Sequence, residues 1–384
     1  MQYRKFGRLN WKVSALGFGA MRLPVIDGDT SRIDETAAIS MIRYAIDHGV
    51  NYIDTAYPYH GGKSEALVGK ALKGGYRERV KLATKMPIWL VNSQSDMTKF
   101  LDEQLVRLQT NKIDFYLLHN CKSDRWPKMK DLKVTEWAER AILEGKIGHI
   151  GFSFHDQYEL LKQIIDEYSG WALCQIMYNY MDTENQAGTK GLEYAASKGL
   201  AVVVMEPIAG GMLAVSSKDL QAIWNTAEEK RTPAEWALQW VWNHPEVSVA
   251  LSGMSTMDQV MENVGSADRS GPNKFTKEEL ELISKVKRAY LEYGFIACKG
   301  CRYCLPCKQN VAIPEIFNLY NELSRNRGYV DGLNAVKAKY TKTITAENGA
   351  KRCIRCGECE EKCPQKLEIR NLLQQAALTF EGNR

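Results

Sequence analysis

The chain has 384 residues, enough for one large α/β domain and a smaller second one. Apolar residues make up 45% and charged residues 25%, which is the composition of an ordinary soluble globular protein. The net charge of +5 is modest, and no basic motif interleaved with aromatic residues accompanies it, so we expect no nucleic-acid partner.

Two further features bear on the class of protein and on where it works. No apolar run approaches the roughly 18 residues that a membrane helix needs, and the opening MQYRKFGRLNWKVSALGFGAM contains no signal-peptide core. We therefore expect a cytoplasmic protein with no membrane partner. Ten cysteines, eight of them clustered, indicate metal ligands in such a compartment more than a disulfide framework.

The first 265 residues alternate β-branched apolar runs with segments of helical period. Cap signals support this pattern, with Asp34 before the first helix, Thr232-Pro233 opening another, and Gly49 and Gly199 closing two more. Eight strands alternating with eight helices predict a (β/α)8 TIM barrel. The predicted strands cover residues 15–19, 51–56, 80–86, 114–119, 149–154, 174–179, 201–207 and 248–253.

An open doubly wound sheet is the alternative fold. Its first turn would need the glycine pattern Gly-x-Gly-x-x-Gly followed by a helix, and LGFGAMRL lacks both the third glycine and that helix. A charged amphipathic segment at 275–293 predicts a closing helix, and the cysteines begin directly after it. We therefore predict a barrel over residues 1–290 and a mainly helical, ferredoxin-like iron–sulfur domain over 291–384.

The cysteines form two quartets. The second, in CIRCGECEEKCP, has the spacing C-x2-C-x2-C-x3-C-P, which is a strong signature of a [4Fe–4S] cluster. The first, in CKGCRYCLPC, is one residue shorter and lacks the proline. We predict that the two quartets bind two clusters and that at least one cluster is present. The fourth cysteine of each quartet would ligate the cluster of the other quartet. One cluster plus a structural zinc is the alternative. The predicted ligand sets are Cys298, Cys301, Cys304 with Cys363, and Cys353, Cys356, Cys359 with Cys307.

Catalytic groups of such barrels lie at the C-terminal ends of the strands. The unusual residues at those ends are Asp54, Lys85 and His119, and Tyr59 lies in the loop after Asp54. Alone, a strand-end aspartate often caps a helix and a lysine often lies on the rim. Together at adjacent strand ends, the four side chains predict a proton-donating site.

The segments NYIDTAYPYHGGKSEALVGKAL, LATKM, DFYLLHN, GKIGHIGFSFH and TPAEWALQWVWNHP resemble the aldo-keto reductase superfamily, in register over roughly residues 1–265. Over its whole length the chain resembles the branch with a C-terminal ferredoxin-type domain. The resemblance implies an enzyme that binds NAD(P)H without a Rossmann domain and reduces a carbonyl substrate to an alcohol. It assigns Tyr59 as proton donor, with Lys85⁺ stabilising the phenolate, Asp54 holding Lys85, and His119 orienting the substrate oxygen.

The resemblance also implies a set of cofactor contacts, although Phe154 and Met205 replace the asparagine and the stacking aromatic ring that the family usually has. Where members that prefer NADP often carry basic residues, this chain has Gly253 and Gln259, so the 2′-phosphate has no obvious cation. The implied cofactor-binding residues are Gly19, Met21, Asp54, Ser153, Gln175, Met205, Pro207, Ile208, Gly210, Gly211, Gly253, Gln259, Glu262 and Asn263.

The charge of the C-terminal segment does not decide whether the clusters are structural or carry electrons. Residues 294–384 contain 15 lysines and arginines against 9 acidic residues, a surplus that either offsets thiolate-ligated clusters or forms a docking face for an acidic redox partner. Our first hypothesis is a carbonyl reductase with structural or auxiliary clusters. The second is an electron-transfer enzyme served by a ferredoxin or flavodoxin. A non-catalytic cofactor sensor is the third, and the intact tetrad argues against it.

Overall fold

The structure is a computed structural model and describes residues 1–292, 294–325 and 330–382. Contacts divide the chain into two compact units, one of Met1–Pro207 with Glu235–Lys274 and the other of Ile208–Ala234 with Phe275–Arg384. The predicted boundary after residue 290 groups the chain differently, because contacts assign both the segment after Pro207 and the closing helix to the cysteine-rich unit.

In the first unit an N-terminal hairpin precedes a closed barrel of eight parallel strands. All eight strands predicted from the sequence are present, so the barrel prediction is confirmed. The hairpin comprises β1 (Tyr3–Phe6) and β2 (Leu9–Ser14), and the barrel comprises β3 (Leu16–Gly19), β4 (Tyr52–Asp54), β5 (Lys81–Met86), β6 (Ile113–Cys121), β7 (Ile147–Phe154), β8 (Leu173–Met177), β9 (Ala201–Met205) and β10 (Val247–Gly253). Neighbouring strands follow chain order, and β10 pairs with β3 to close the barrel.

Helices follow every barrel strand, but the strict one-to-one alternation expected from the sequence is wrong at β6 and β9. Each of these strands is followed by two helices, the first of them short. The helices up to residue 268 are α1 (Glu35–Asp47), α2 (Ser64–Ala71), α3 (Gln94–Leu108), α4 (Trp126–Asp131), α5 (Val134–Leu143), α6 (Tyr158–Glu167), α7 (Gly188–Ser197), α8 (Lys218–Trp224), α9 (Pro233–Trp242) and α10 (Met257–Asp268).

The predicted cap residues act as expected. Asp34 accepts a hydrogen bond from the backbone N–H of Ala37 at 3.0 Å and so begins α1. Gly49 and Gly199, which follow α1 and α7, have φ values of 97° and 76°, a left-handed conformation that glycine adopts without strain. Local sequence therefore defines where these helices begin and end.

The hairpin closes the N-terminal end of the barrel. Phe6 is fully buried, and its ring lies 4.7 Å from that of Phe115 and 5.8 Å from that of Tyr52, near the starts of β6 and β4. Val13 on β2 is also fully buried in this cluster. Because the strands are parallel, the opposite end collects all eight C-terminal strand ends, and any site must form there.

The second unit is helical over the residues that the structure describes. The hydroxyl of Tyr290 donates to the carbonyl oxygen of Val215 at 3.0 Å, and Arg231 pairs with Glu279 at 2.5 Å, so the segment around α8 packs with the closing helix. A separate apolar core containing Phe317 holds the cysteine-bearing segments. Beyond α8, the helices of this unit are α11 (Lys277–Glu292), α12 (Ile313–Arg325), α13 (Val330–Thr343), α14 (Glu358–Lys362) and α15 (Ile369–Phe380). None of the described helices is long and apolar enough to cross a bilayer.

Candidate active site and cysteine cavities

An ion pair lies at the C-terminal ends of β4 and β5. Lys85 Nζ donates to Asp54 Oδ1 at 2.6 Å, to Asp54 Oδ2 at 2.8 Å and to the carbonyl oxygen of Thr55 at 2.8 Å. Both side chains are buried, with 1% and 4% of their surface exposed. Burial raises the pKa of Asp54 and lowers that of Lys85, while each partner's charge opposes the shift of the other. All three donor positions of the ammonium group are therefore used.

Tyr59 and His119 lie beside this pair. The ammonium of Lys85 is 5.2 Å from the centroid of the Tyr59 ring, and the Tyr59 and His119 rings meet edge to face at 6.0 Å. Tyr59 begins the turn after β4, whereas His119 lies near the end of β6. The structure thus brings together all four residues that the sequence pattern singled out.

The protonation of Tyr59 and His119 is controlled by burial. Burial and the carboxylates of Asp54 and Glu206 raise the pKa of Tyr59 well above its usual value of about 10, and only Arg22 opposes them. Burial, Lys85 and further cations lower the pKa of His119 well below its usual value. At neutral pH the tyrosine is therefore protonated and the histidine uncharged.

Several residues of the expected cofactor set lie in one row across the barrel mouth. Gly253 pairs in register with Gly19, and Gly19 pairs with Asp54. Met21 follows in the loop after β3. These residues lie on the neighbouring strands β10, β3 and β4 or in the loop after β3. Tyr59 follows β4, so they belong to its side of the mouth.

A polar group suited to a carboxamide lies on β7, β8 and β9. Ser153 pairs in register with Gln175, and Gln175 Nε2 contacts the sulfur of Met205 at 3.7 Å. Gln175 Oε1 is buried, and no residue that the structure describes gives it a hydrogen bond. A buried acceptor without a donor is costly, and the amide N–H of a nicotinamide would satisfy it. The residues present therefore fit the cofactor.

The expected adenosine-side residues lie at the start of α10. Gln259 Oε1 accepts from the backbone N–H of Ser255 at 2.8 Å, Glu262 is exposed, and Asn263 Nδ2 donates to Ser252 Oγ at 3.1 Å. The hydroxyl of Ser255 donates to the carbonyl oxygen of Arg22 at 2.8 Å. Arg22 thus runs alongside this loop.

The loop after β9 begins at the buried Pro207 and continues in the second unit with Ile208, Gly210 and Gly211. Gly210 has a φ of 68°, and a Cβ atom there would lie 2.8 Å from the carbonyl oxygen of Lys299. Lys299 stands between Cys298 and Cys301. Within the second unit, the loop that the resemblance assigns to the cofactor therefore rests on the first cysteine loop, and only glycine fits at this contact.

Three residues at the barrel mouth were missed by sequence reasoning. The Trp89 ring lies 5.2 Å from the His119 ring, and the guanidinium carbon of Arg125 lies 5.5 Å from the Trp89 ring. Glu206, directly after β9, has a φ of 57° and its backbone carbonyl accepts from Asn179 at 3.1 Å. Their only sequence signal is their position within a few residues of a strand end.

Two cavities in the second unit are lined by cysteines. Cys304 borders both, and the others divide between them as the crossed ligand assignment expects. The first cavity is lined by Cys298, Cys301, Cys304 and Cys363, and the second by Cys304, Cys307, Cys353, Cys356 and Cys359. Among the described residues, no three Cys, His, Asp or Glu side chains converge as ligands of a single ion do.

The two remaining cysteines belong to the barrel. Cys174 on β8 is fully buried, in keeping with the strand position that was predicted. Cys121 is also fully buried at the end of β6, and burial raises the pKa of its thiol. Neither is a reactive thiolate.

Comparison with known proteins agrees with this architecture. Residues 15–288 match the aldo/keto reductase family, and residues 297–368 match a 4Fe-4S dicluster domain. An uncharacterized oxidoreductase of Bacillus subtilis is 28% identical over 331 residues, covering 74% of this chain and 96% of its own length. L-galactose dehydrogenase of Arabidopsis thaliana is 28% identical over 314 residues, covering 74% and 94%.

Solved structures give the same result. The holo form of an aldo-keto reductase from Bacillus halodurans has a TM-score of 0.61 at 29% identity, with 74% of this chain and 96% of that chain covered. An aldo-keto reductase from Klebsiella pneumoniae in complex with NADPH has a TM-score of 0.61 at 26% identity, with 74% and 95% covered. The fold and the strand-end side chains define a barrel oxidoreductase. The chain belongs to the aldo/keto reductase family and carries a C-terminal 4Fe-4S dicluster domain.

Proposed function

We propose that this protein reduces a carbonyl substrate with hydride from NAD(P)H, with Tyr59 as the proton donor. The observation that carries the proposal is the convergence of Tyr59, His119 and the Lys85–Asp54 pair at one end of the barrel. A single strand-end residue has an ordinary structural explanation. Four such residues within a few ångströms, two of them forming a buried ion pair, do not.

Each residue has a role that its surroundings support. When bound, the reduced nicotinamide supplies a hydride to the carbonyl carbon, which leaves negative charge on the oxygen. Tyr59, protonated at neutral pH, donates its phenolic proton to that oxygen. Uncharged His119 orients the substrate oxygen by a hydrogen bond. A positioned acid of this kind accelerates a reaction by roughly 10²–10⁴.

Lys85, held in place by Asp54, stabilises the phenolate that Tyr59 becomes. The sequence argument expects Lys85⁺ to lower the pKa of the phenol before the reaction. In the free protein that pKa is raised by burial of the ring and by the nearby carboxylates of Asp54 and Glu206. Lys85 therefore acts by lying 5.2 Å from the ring when the phenolate forms, while the resting tyrosine keeps the proton that it must give.

The cofactor-binding residues are proposed on the same basis. Gln175 and Ser153 would hold the carboxamide, because a buried amide oxygen on β8 lacks a donor there. Met205 would cover the nicotinamide ring with its polarizable sulfur in place of the usual aromatic ring. Gly19, Gly253, Gln259, Glu262 and Asn263 would border the remainder, together with the loop residues from Pro207 to Gly211.

We further propose that the eight clustered cysteines bind two [4Fe–4S] clusters in the crossed arrangement, one per cavity. Their first role is to organise the second unit, since Cys304 and Cys363 lie in its apolar core and metal binding there would add to the stability of that core. Within this unit the first cysteine loop also packs against the segment after β9, where a Cβ atom on Gly210 would lie 2.8 Å from the carbonyl oxygen of Lys299.

Stereospecific hydride transfer tests the proposed reaction. Anaerobically purified protein is incubated with an aldehyde panel and with nicotinamide cofactor deuterated at one face of C4 at a time. We expect deuterium from one face alone to appear on the carbinol carbon of the product. Cofactor consumption without deuterium in the alcohol would show that electrons leave by another route, and the reductase proposal would then be wrong.

A second candidate function is electron exchange with a ferredoxin or flavodoxin. One observation favours it, namely that Cys356 in the second cavity is exposed, so a cluster there would be reachable by a partner. The positive charge of residues 294–384 would suit an acidic protein. Nicotinamide transfers two electrons as hydride and a cluster transfers one, and no flavin site mediates between them in the sequence, so we rank this candidate second.

A further inference from the structure

A cation and an aromatic ring stand together on one side of the barrel mouth. Arg125 precedes α4 in the loop after β6, and Trp89 lies in the loop after β5. The guanidinium carbon is 5.5 Å from the Trp89 ring, whose centroid is 5.2 Å from that of His119. A charged group and a flat apolar surface therefore lie next to His119, one of the four converging residues.

Arg125 is held in place, yet it keeps most of its hydrogen-bonding capacity. One guanidinium nitrogen, Nη1, donates to the carbonyl oxygen of Asn120 at 3.2 Å, next to His119 in sequence. Its nearest carboxylate is that of Asp124, with Nε 3.7 Å from Oδ2 and 68% of the aspartate side chain exposed. Exposed pairs at such distances contribute little, and arginine has five N–H donors. The group is 25% exposed, so a ligand can reach it.

The other charges at the mouth leave this side suited to an anion. Asp54 is bound by Lys85, and Glu206 follows β9, three strands away from β6 in the barrel order. Asp156, after β7, accepts hydrogen bonds from the backbone N–H and the hydroxyl of Ser123 at 2.9 and 2.8 Å. His119 itself experiences the positive charges of Lys85 and Arg125. A negative group on the substrate would therefore lie toward β5 and β6, away from Glu206.

We infer that the substrate is a carbonyl compound with a carboxylate a few atoms from the carbonyl, bound by Arg125 against the face of Trp89. This inference rests on the proposed function. The carbonyl carbon accepts hydride from the reduced cofactor, its oxygen accepts the proton of Tyr59, and the product is a hydroxy acid plus oxidised cofactor. The carboxylate is unchanged by the reaction and acts only in binding and orientation, through charge-assisted hydrogen bonds to the planar guanidinium.

The experiment compares 4-oxobutanoate with its methyl ester in the parent protein, in Arg125→Gln and in Arg125→Lys. Arg140→Gln, a surface change on α5, is the matched control. We expect the parent to prefer the acid, and Arg125→Gln to lower kcat/KM for the acid by about 10- to 100-fold through KM while changing the ester by less than about threefold. Arg125→Lys should retain part of the preference because it keeps the charge, and Arg140→Gln all of it.

Calorimetric titration with 4-hydroxybutanoate, the expected product, gives a readout independent of turnover. It should bind the parent and lose affinity by a similar factor in Arg125→Gln. If Arg125→Gln lowered kcat/KM equally for the acid and the ester, Arg125 would only fix the loop through Asn120. The inference would then be overturned. Reduction of the ester without any preference for the acid would also overturn it while leaving the proposed function intact. Failure to reduce either compound would count against the proposed function, and the titration would then decide the inference alone.

Discussion

The ammonium of Lys85 donates to both carboxylate oxygens of Asp54, at 2.6 and 2.8 Å, in a site where neither side chain reaches solvent. Removing one partner of such a buried pair leaves the other charge uncompensated, which typically costs about 3–5 kcal/mol. Substitutions of either residue would therefore mix loss of stability with loss of chemistry. Tyr59 and His119, which are uncharged, give cleaner tests of the site.

Tyr59→Phe should lower turnover by ~10² or more and leave cofactor affinity nearly unchanged. The substitution removes only the hydroxyl, so the ring keeps its place beside Lys85 and His119 while the proton donor is lost. Steady-state carbonyl reduction and fluorescence titration with NADH provide the two measurements.

Tyr57→Phe is the matched control for that substitution. Tyr57 lies two residues earlier, with its hydroxyl 3.4 Å from Glu103 Oε2 and Arg107 over its ring, so it also has a hydrogen-bonded phenol next to a cation. We expect it to retain most of the activity. A Tyr59→Phe protein as active as this control would remove the proton-donor assignment.

The pH dependence of kcat/KM should be flat between about pH 6 and 8. The expected profile follows from the directions of the two pKa shifts. His119 is uncharged because its pKa is lowered, and Tyr59 is protonated because its pKa is raised. Both groups keep these states across the range, and activity should fall only at alkaline pH as the phenol ionises. His119→Gln should be slower with the same flat profile. An acid limb near pH 6.5 that disappears in this variant would show that His119 acts as a cation.

Sequence periodicity was sufficient to predict the barrel and to place Asp54, Lys85 and His119 at strand ends, because a closed parallel sheet brings all C-terminal ends to one mouth. The positions of Trp89 and Arg125 could not be predicted in this way. They depend on loop conformation, including a left-handed Asn120 with a φ of 61° in the irregular end of β6, and such turns have no periodic signal. The hairpin at the base was missed because two short strands resemble an ordinary N-terminal extension.

The packing of the segment after β9 could not be predicted from the sequence either. Its glycines suggested a cofactor loop, but the close approach of Gly210 to Lys299 depends on a partner about ninety residues later in the chain. The division of cysteines between two cavities, by contrast, was expected from the crossed ligation of two-cluster ferredoxins, and the second quartet has the spacing of that class. In a C-x2-C-x2-C-x3-C run, three cysteines surround one site and the fourth is carried beyond it.

NADH should bind at least as tightly as NADPH. A 2′-phosphate needs a charge-assisted partner to offset its desolvation, and Gly253 and Gln259 offer none. Arg22 runs beside Gly253, with its Cγ 3.0 Å from where a Cβ atom would lie, so it is the cation to test. Titrations of both cofactors against the parent and Arg22→Gln test this. A ~10-fold preference for NADPH that is lost in the variant would assign the phosphate to Arg22.

Anaerobically prepared protein should contain about eight irons per chain, as two four-iron clusters require. Cys363→Ser and Cys307→Ser should each remove one cluster and leave about four irons, because these residues complete opposite cavities. Cys174→Ala, a buried change in β8, is the control and should keep all eight. Zinc in the first cavity, or about four irons in the parent protein, would show that the first quartet does not hold a cluster.

NADH or NADPH alone should sustain steady-state carbonyl reduction, with no increase when a reduced ferredoxin or flavodoxin is added. The reason is that hydride transfer needs only the barrel site, whereas the clusters transfer single electrons and the sequence has no feature that suggests a flavin to connect the two.

If the clusters supplied electrons to the reaction, a reduced donor protein would support turnover without nicotinamide. The rate would then fall steeply with added salt, because docking on a positive surface is screened. Lys362→Glu, an exposed change lining the second cavity, would then weaken the response, whereas Lys342→Glu at the end of α13 would not. Donor-driven turnover with that pattern would reverse our ranking of the two functions, and its absence at low salt would leave the clusters with an organising role.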